Sequence, residues 1–514
     1  MRDGARPMIN TKKVKLALGI FVILLASLAC QLTSPTPASW SGTPTARVLN
    51  ATNTAVARTL QAGLGDVTPL PPTVTPTKKP GTPTPQETQI VDGPWLIYPA
   101  PNDEGLHAFD VDTETTLTID LPKPMVIADL QTGLSPQGDR LVIRAGSPLN
   151  TDELALYQIV FPSLQVTKLT PLLSLTLQRR IVNQIGTLAF DILEVVTRSD
   201  SLAWSPDGRF LAFTAALDNE SSDLYVLDTL NKRIDRLNGL SSHAATPFWA
   251  LNSTSLVSQE LGRVGEAWRA EAVYSLSVPG FGDQNVLYLP DQGAQEEIFL
   301  GWINADTFIS YSNSDDGNRK LQQVGTNPIK IESIFEAYFK EAAFDQLTQV
   351  LAFNLGEKEA APQGLVAGIY IVQPNQLGYR LQRAGYWDGL VWDPGGFFVV
   401  QGAQGVYTFS AQEQDVFLPD EANVRISSDG QWLIGWGNGI ETMAGARLYQ
   451  PPNTNPLQTI SEKTVGAVLW QPDSRGFFIF IEGELFHVEF PSLKLNPVQI
   501  GFPDSGSFDL IWVD

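Results

Sequence analysis

From Ser201 to Phe213 the chain reads Ser-Leu-Ala-Trp-Ser-Pro-Asp-Gly-Arg-Phe-Leu-Ala-Phe. Two apolar runs, one ending in Trp204 and the other starting at Phe210, enclose a polar stretch with turn chemistry. Pro206 presets φ, Asp207 caps the turn through its carboxylate, and Gly208 accepts positive φ. This pattern predicts an antiparallel hairpin. It recurs, more or less decayed, at Leu134-Ser-Pro-Gln-Gly, Trp249-Ala-Leu-Asn, Trp302-Ile-Asn-Ala-Asp, Phe344-Asp-Gln-Leu-Thr, Trp392-Asp-Pro-Gly-Gly, Ile426-Ser-Ser-Asp-Gly, Trp470-Gln-Pro-Asp-Ser and Trp512-Val-Asp. Tryptophan fills six of these nine anchor positions in a chain with Trp 12, so the pattern is a repeat and not a single site.

The anchors recur at the spacing of a four-stranded blade, on the order of 40–50 residues. A β-rich strand follows each turn, such as Arg140 to Arg144 or Phe477 to Phe480, and the clearer copies carry two more. One blade cannot bury both faces alone, whereas blades stacked radially cover one another. The fold class is therefore all-β, a single propeller over residues 93–514 with eight blades expected and seven to nine allowed. Its two ends fit each other. Trp95-Leu-Ile-Tyr, Leu106-His-Ala-Phe-Asp-Val and Leu117-Thr-Ile-Asp look like a blade without its first strand, and Phe508 to Trp512 like a first strand without its blade. Pairing them closes the ring and removes two open edges.

One insertion breaks the rhythm. Between about 171 and 198, Leu177, Ile181, Ile185, Leu188, Ile192 and Val196 recur at three- and four-residue spacing, one face of a helix. Gly186 lies in its middle and weakens it by about 1 kcal/mol against alanine, so a break there is allowed for.

Ahead of the repeats, residues 31–92 shift to Thr, Pro, Ser and Ala, with too few large apolar side chains to offset the entropy of ordering. They read as a disordered spacer that, where extended, reaches on the order of 100 Å. Residues 1–30 read as an export signal: Arg2, Arg6, Lys12, Lys13 and Lys15 precede the apolar run Leu16 to Ala29, too short for a comfortable membrane span. Cys30 closes that run after Leu-Ala-Ser-Leu-Ala and is the single cysteine of the chain. No disulfide is therefore available. The arrangement resembles the lipobox of bacterial lipoproteins, which implies that Cys30 becomes a lipidated N-terminus and anchors the protein to a membrane, facing the periplasm or the cell exterior.

The repeat itself resembles the TolB-type, WD-repeat-like propellers, whose Trp-Ser-Pro-Asp-Gly turn is intact at 204–208. The resemblance covers roughly residues 94–514 and implies an extracytoplasmic propeller used for contacts with other molecules, without naming a partner.

Formal net charge is −21, and no basic stripe is present, which argues against nucleic acid as a partner. No Gly-x-Ser-x-Gly elbow occurs. His107, His243 and His487 are the only histidines, none at metal-ligand spacing, so neither a metal nor a cofactor is expected. The Asp-Gly turns read as structural. Propellers bind on one face, at the segments between blades and the connections between second and third strands. That places His243, Trp268 and Arg269 in the Gly262 to Ala270 loop, and Tyr386 and Trp387 as candidate contacts with a partner. The sequence leaves catalysis open and inclines to binding of a protein or an envelope glycan. The alternative is a carbohydrate-binding or glycan-cleaving propeller with its site in the central funnel.

Overall fold

The computed structural model describes residues 93–513, apart from 101–104, 150–152, 184–186, 218–220, 238–242, 265–266, 278–285, 289–295, 314–317, 327–328, 374–377, 394, 412–413, 438–443 and 499–509. The expected signal, Cys30 and the spacer lie outside the described residues. The described chain forms eight four-stranded antiparallel sheets and one three-stranded sheet. Sheet 1 combines Trp95–Pro99, Leu106–Asp110 and Thr115–Ile119 with Ile511–Val513 from the other end of the chain. Sheet 2 is the three-stranded one, from Arg140–Ala145 to Gln165–Pro171. Sheets 3 to 9 begin at strands Leu202–Trp204, His243–Trp249, Glu296–Asn304, Glu341–Asp345, Gly389–Asp393, Asn423–Ile426 and Val465–Trp470. In each of them the strands follow one another in sequence order.

The core is distributed in the way a repeat requires. Each main apolar cluster lies between two neighbouring sheets: Trp95 and Ile97 with Ile143 between sheets 1 and 2, Leu156 with Trp204 between 2 and 3, and so on to Phe478 with Tyr98 between 9 and 1. This succession closes a ring, and the fold is a β-propeller. It has the expected eight four-stranded blades, with sheet 2 filling one further position where the first strand has shrunk to a single bridge, Leu134 to Leu141. The closure expected at the ends is present: Trp95 pairs with Val513, Leu96 with Trp512 and Ile97 with Ile511.

The reason for tryptophan at the anchors is visible in its N–H. The Trp204 indole donates to the Gly133 carbonyl at 2.7 Å, Trp249 to Ala203 at 3.1 Å, Trp302 to Phe248 at 3.1 Å and Trp470 to Arg425 at 3.3 Å. In every case the acceptor is the residue before the preceding sheet's anchor. A large apolar ring fills the space between sheets while its polar edge ties one first strand to the next.

The turns after the anchors are built alike. Ser205 donates to Asp207 at 2.6 Å, whose carboxylate accepts from the Arg209 N–H at 3.0 Å, and Ser427, Asp429 and Gln431 repeat this at 2.6 and 3.0 Å. Gly208 takes φ +69°, and a Cβ there would sit 2.0 Å from Gln137 Oε1. At the same place in two other turns stand serines, Ser253 at φ 58° and Ser474 at φ 60°. Their hydroxyls accept the backbone N–H of Asp207 and Asp429 from the preceding turn, both at 3.1 Å. Serine tolerates an unfavourable backbone there and links one turn to its neighbour.

The insertion is two helices, Leu175–Val182 and Thr187–Val196, rather than one. Ser174 caps the first, accepting from the Leu177 N–H at 3.3 Å, and Asn183 ends it, its side chain donating to the Arg179 carbonyl at 2.8 Å. Gly186 lies in sequence between them, outside the described residues. Leu177, Ile181, Ile192 and Val196 are buried against sheets 2 and 3, while Ile185 lies outside the described residues. A fully buried ion pair fastens the second helix: Arg144 donates to Asp129 at 2.5 and 2.9 Å, and to the carbonyls of Val196 at 2.5 Å and Arg198 at 2.6 Å. A cation at a helix C-terminus complements both its carbonyls and its dipole.

Candidate functional site

Because each first strand runs toward its Asp-Gly turn, the starts of the first strands lie on the opposite rim. The connections between second and third strands lie there too, since the second strand runs back. Every candidate contact residue therefore belongs to this rim. The structure divides them into two places.

On sheet 4, His243 opens the first strand and Trp268 lies near the start of the third, with their rings 5.3 Å apart edge to face. The expected loop over 262–270 is instead a long hairpin, in which Gly262 pairs with Arg269 and Arg263 with Trp268. Ser222 and His243 Nδ1 share a hydrogen bond of 2.9 Å, and burial lowers the His243 pKa below its ordinary value. Arg263 stands over Trp268, 5.6 Å from the ring centre, and forms an ion pair with Asp191 of the second insertion helix. Val195 of that helix packs with Ala245, Leu261 and Trp268. Arg263 and Trp268 thus hold the insertion against the rim, with His243 edge-on to the Trp268 ring.

Tyr386 and Trp387 precede the first strand of sheet 7 and part company. Tyr386 is 63% exposed, whereas the Trp387 ring is buried against Tyr407 and Phe417. The Trp387 carbonyl accepts from Asn354 at 2.9 Å and from Lys340 Nζ at 3.4 Å. That contact leads to a feature the sequence did not single out.

A pocket of about 360 Å³ opens at Lys340 and Asp388. Sheet 5 supplies Arg319, sheet 6 and its approaches supply Tyr338, Phe339, Lys340, Glu341 and Glu359, and Asp388 comes from the approach to sheet 7. Arg319 lies 5.4 Å over the Phe339 ring and 5.5 Å over Tyr311, and its guanidinium donates to the Lys340 carbonyl. Lys340 Nζ is 3.9 Å from the exposed Asp388 carboxylate. Glu341 Oε2 accepts the Leu390 N–H at 2.8 Å, and burial pushes its carboxyl pKa up against the pull of that N–H, Lys340 and Arg319. The pocket is a set of fixed donors and acceptors of both signs, able to bind a polar ligand.

The same rim carries a second repeated signal. Acids shortly before the anchors bond into their own sheets: Asp129 to Arg144, Glu297 to Ser310 and Gln322 at 2.8 Å each, and Glu421 to Arg447 at 2.7 Å and Tyr449 at 2.6 Å. These three carboxylates are buried and pin the start of each first strand. Glu341 and Asp388 also precede the anchors of sheets 6 and 7, by three and four residues where the others stand five before, and they line the pocket.

Among the described residues no group of three or more His, Cys, Asp or Glu could hold a metal ion, and no helix is long and apolar enough to cross a membrane.

The chain is similar in fold to a eukaryotic initiation factor at 10% identity and TM-score 0.51, over 82% of this chain and 98% of that one. An oligogalacturonate lyase from Vibrio parahaemolyticus matches at 12% identity and TM-score 0.36, over 55% of this chain and 85% of that one. The C-terminal WD40 domain of Sif2 matches at 12% identity and TM-score 0.35, over 69% and 93%. The likeness is one of fold. No family model matches the chain, and no curated protein matches its sequence.

Proposed function

We propose that this protein is an extracytoplasmic lipoprotein of the TolB-like, WD40-like kind, held at a membrane through Cys30 and its Thr/Pro-rich spacer, whose propeller binds a protein or envelope partner. The binding face is the rim opposite the Asp-Gly turns. One observation carries this reading: that rim holds a pocket whose polar groups come from three neighbouring sheets, and solvent-exposed Tyr386 lies two residues along the chain from Asp388 of its lining. An exposed aromatic on the same rim as a concave polar site suits recognition. The other rim is taken up by turns bonded to one another.

Two measurements test it. Fractionation of cells carrying wild type or Cys30→Ala is expected to move the protein from membrane to soluble fractions; a variant that stays with the membrane through detergent-free washes refutes lipid anchoring. Photo-crosslinking in intact cells from position 386, beside a control at Asp473 on the turn rim, is expected to give a discrete adduct only from 386. Equal labelling from both positions defeats the assignment of the face.

A further inference from the structure

We propose that the pocket shared by sheets 5, 6 and 7 is a glycan site that receives one uncharged sugar ring. The proposal rests on the reading that this rim is the binding face, and names the ligand class of the pocket within it.

The pocket's charges are already matched within the protein. Lys340 faces Asp388 and the Trp387 carbonyl, Arg319 donates to the Lys340 carbonyl while covering Phe339, and Glu341 accepts from Leu390. Two cations stand against three carboxylates, two of them half-buried, so no surplus of positive charge is left to hold an anion, and the net charge of −21 repels anions further. A simple cation finds Lys340 in its way. What remains is hydrogen-bonding capacity. A guanidinium offers five N–H donors, an ammonium three, and each carboxylate about four acceptor sites, far more than these contacts use. A ligand that combines many neutral hydroxyl donors and acceptors with apolar C–H surface satisfies such a wall, and the half-buried Tyr338 supplies an apolar partner. A volume of about 360 Å³ is at the small end of ligand pockets and suits a ring-sized molecule. The lining is made of side chains from three sheets rather than a free strand edge, which is the feature an extended peptide would pair with.

The test uses the full chain in detergent micelles, titrated by calorimetry with uncharged oligosaccharides of glucose and of N-acetylglucosamine, with oligogalacturonate and with a mixed-sequence peptide pool. Saturable binding of an uncharged oligosaccharide is expected, weakened about tenfold by Glu359→Gln and by Asp388→Asn. Arg475→Ala on the turn rim is expected to leave affinity unchanged. Glu359→Gln and Asp388→Asn keep size and shape, and an unchanged thermal midpoint separates lost contact from lost fold. Preference for oligogalacturonate or for peptide, or binding that both variants leave intact, overturns the proposal. If no sugar binds while position 386 still crosslinks a partner, the glycan site falls and the binding face stands; if neither occurs, both fall.

Discussion

The two rims of the ring follow opposite rules. On the turn rim, sheets 3 and 8 repeat the same hydrogen bonds to within a tenth of an ångström, and serines of the next turns complete the chain of contacts. On the other rim, a helical insertion fills one stretch, a charged pocket another, and buried carboxylates are fixed in sheets 2, 5 and 8. Regularity marks the rim that keeps the sheets together. Irregularity marks the rim where geometry is free to serve something outside the fold, because its connections are not bound to one turn type.

The largest expected effect attacks this division at the insertion. Arg144→Ala leaves Asp129 buried without its cation and frees two carbonyls at the helix end, an expected loss of about 3–5 kcal/mol. Urea unfolding measures it, and hydrogen exchange should show residues 187–196 losing protection first. A loss below about 1 kcal/mol means that the insertion is not fastened there. On the regular rim, Gly208→Ala forces a side chain into positive φ and should cost about 1–2 kcal/mol. Only a turn free to change type would absorb the change without cost.

The tryptophans sharpen the comparison. Trp302→Phe and Trp392→Phe both remove ring volume, but the Trp302 indole donates to Phe248 whereas the buried Trp392 N–H has no hydrogen-bond partner among the described residues. Trp302→Phe should therefore be the worse by about 1 kcal/mol in urea midpoints. Equal losses mean that volume alone explains the anchors. A smaller effect concerns acid. With its pKa lowered by burial, His243 is neutral in both states above about pH 6.5 and contributes nothing there; below it the unfolded chain takes up the proton first, so stability falls as pH drops toward 5. His243→Gln should lessen that fall while His487, lowered in the same direction by burial, keeps part of it. An unchanged pH slope would mean that His243 is not buried in solution. Smallest of all, Tyr386→Ala should alter stability by less than about 0.5 kcal/mol, since its ring is exposed. A larger loss in thermal melts would show it to be part of the fold.

These contrasts also explain what could be read from the chain. The first-strand anchors, the Asp-Gly turns and the pairing of the ends were readable because they repeat, and repetition needs no relatives to be seen. The serines at positive φ were hidden by their own identity, since glycine is the residue expected there. The reduced strand of sheet 2 was hidden because Leu134-Ser-Pro-Gln-Gly keeps the turn while losing most of the strand before it. Residues of the pocket, such as Arg319, Lys340, Glu359 and Asp388, are far apart in sequence and have ordinary loop composition. Only the ring brings them together. The neighbouring Tyr386 and Trp387 drew attention as aromatics beside glycine, and that signal could not tell the exposed ring from the buried one. A periodic search for acids just before the anchors would have found Asp129, Glu297, Glu341, Asp388 and Glu421 together.

The bond between Trp95–Ile97 and Ile511–Val513 sets an order of events in the making of the protein. A chain released from its N-terminus forward displays the Trp95 strand long before its partner exists. Until the last strand emerges, the arc of sheets ends in two unpaired edges, each a template for another chain. Closure comes last, and the unfinished arc keeps its open edges for as long as synthesis takes.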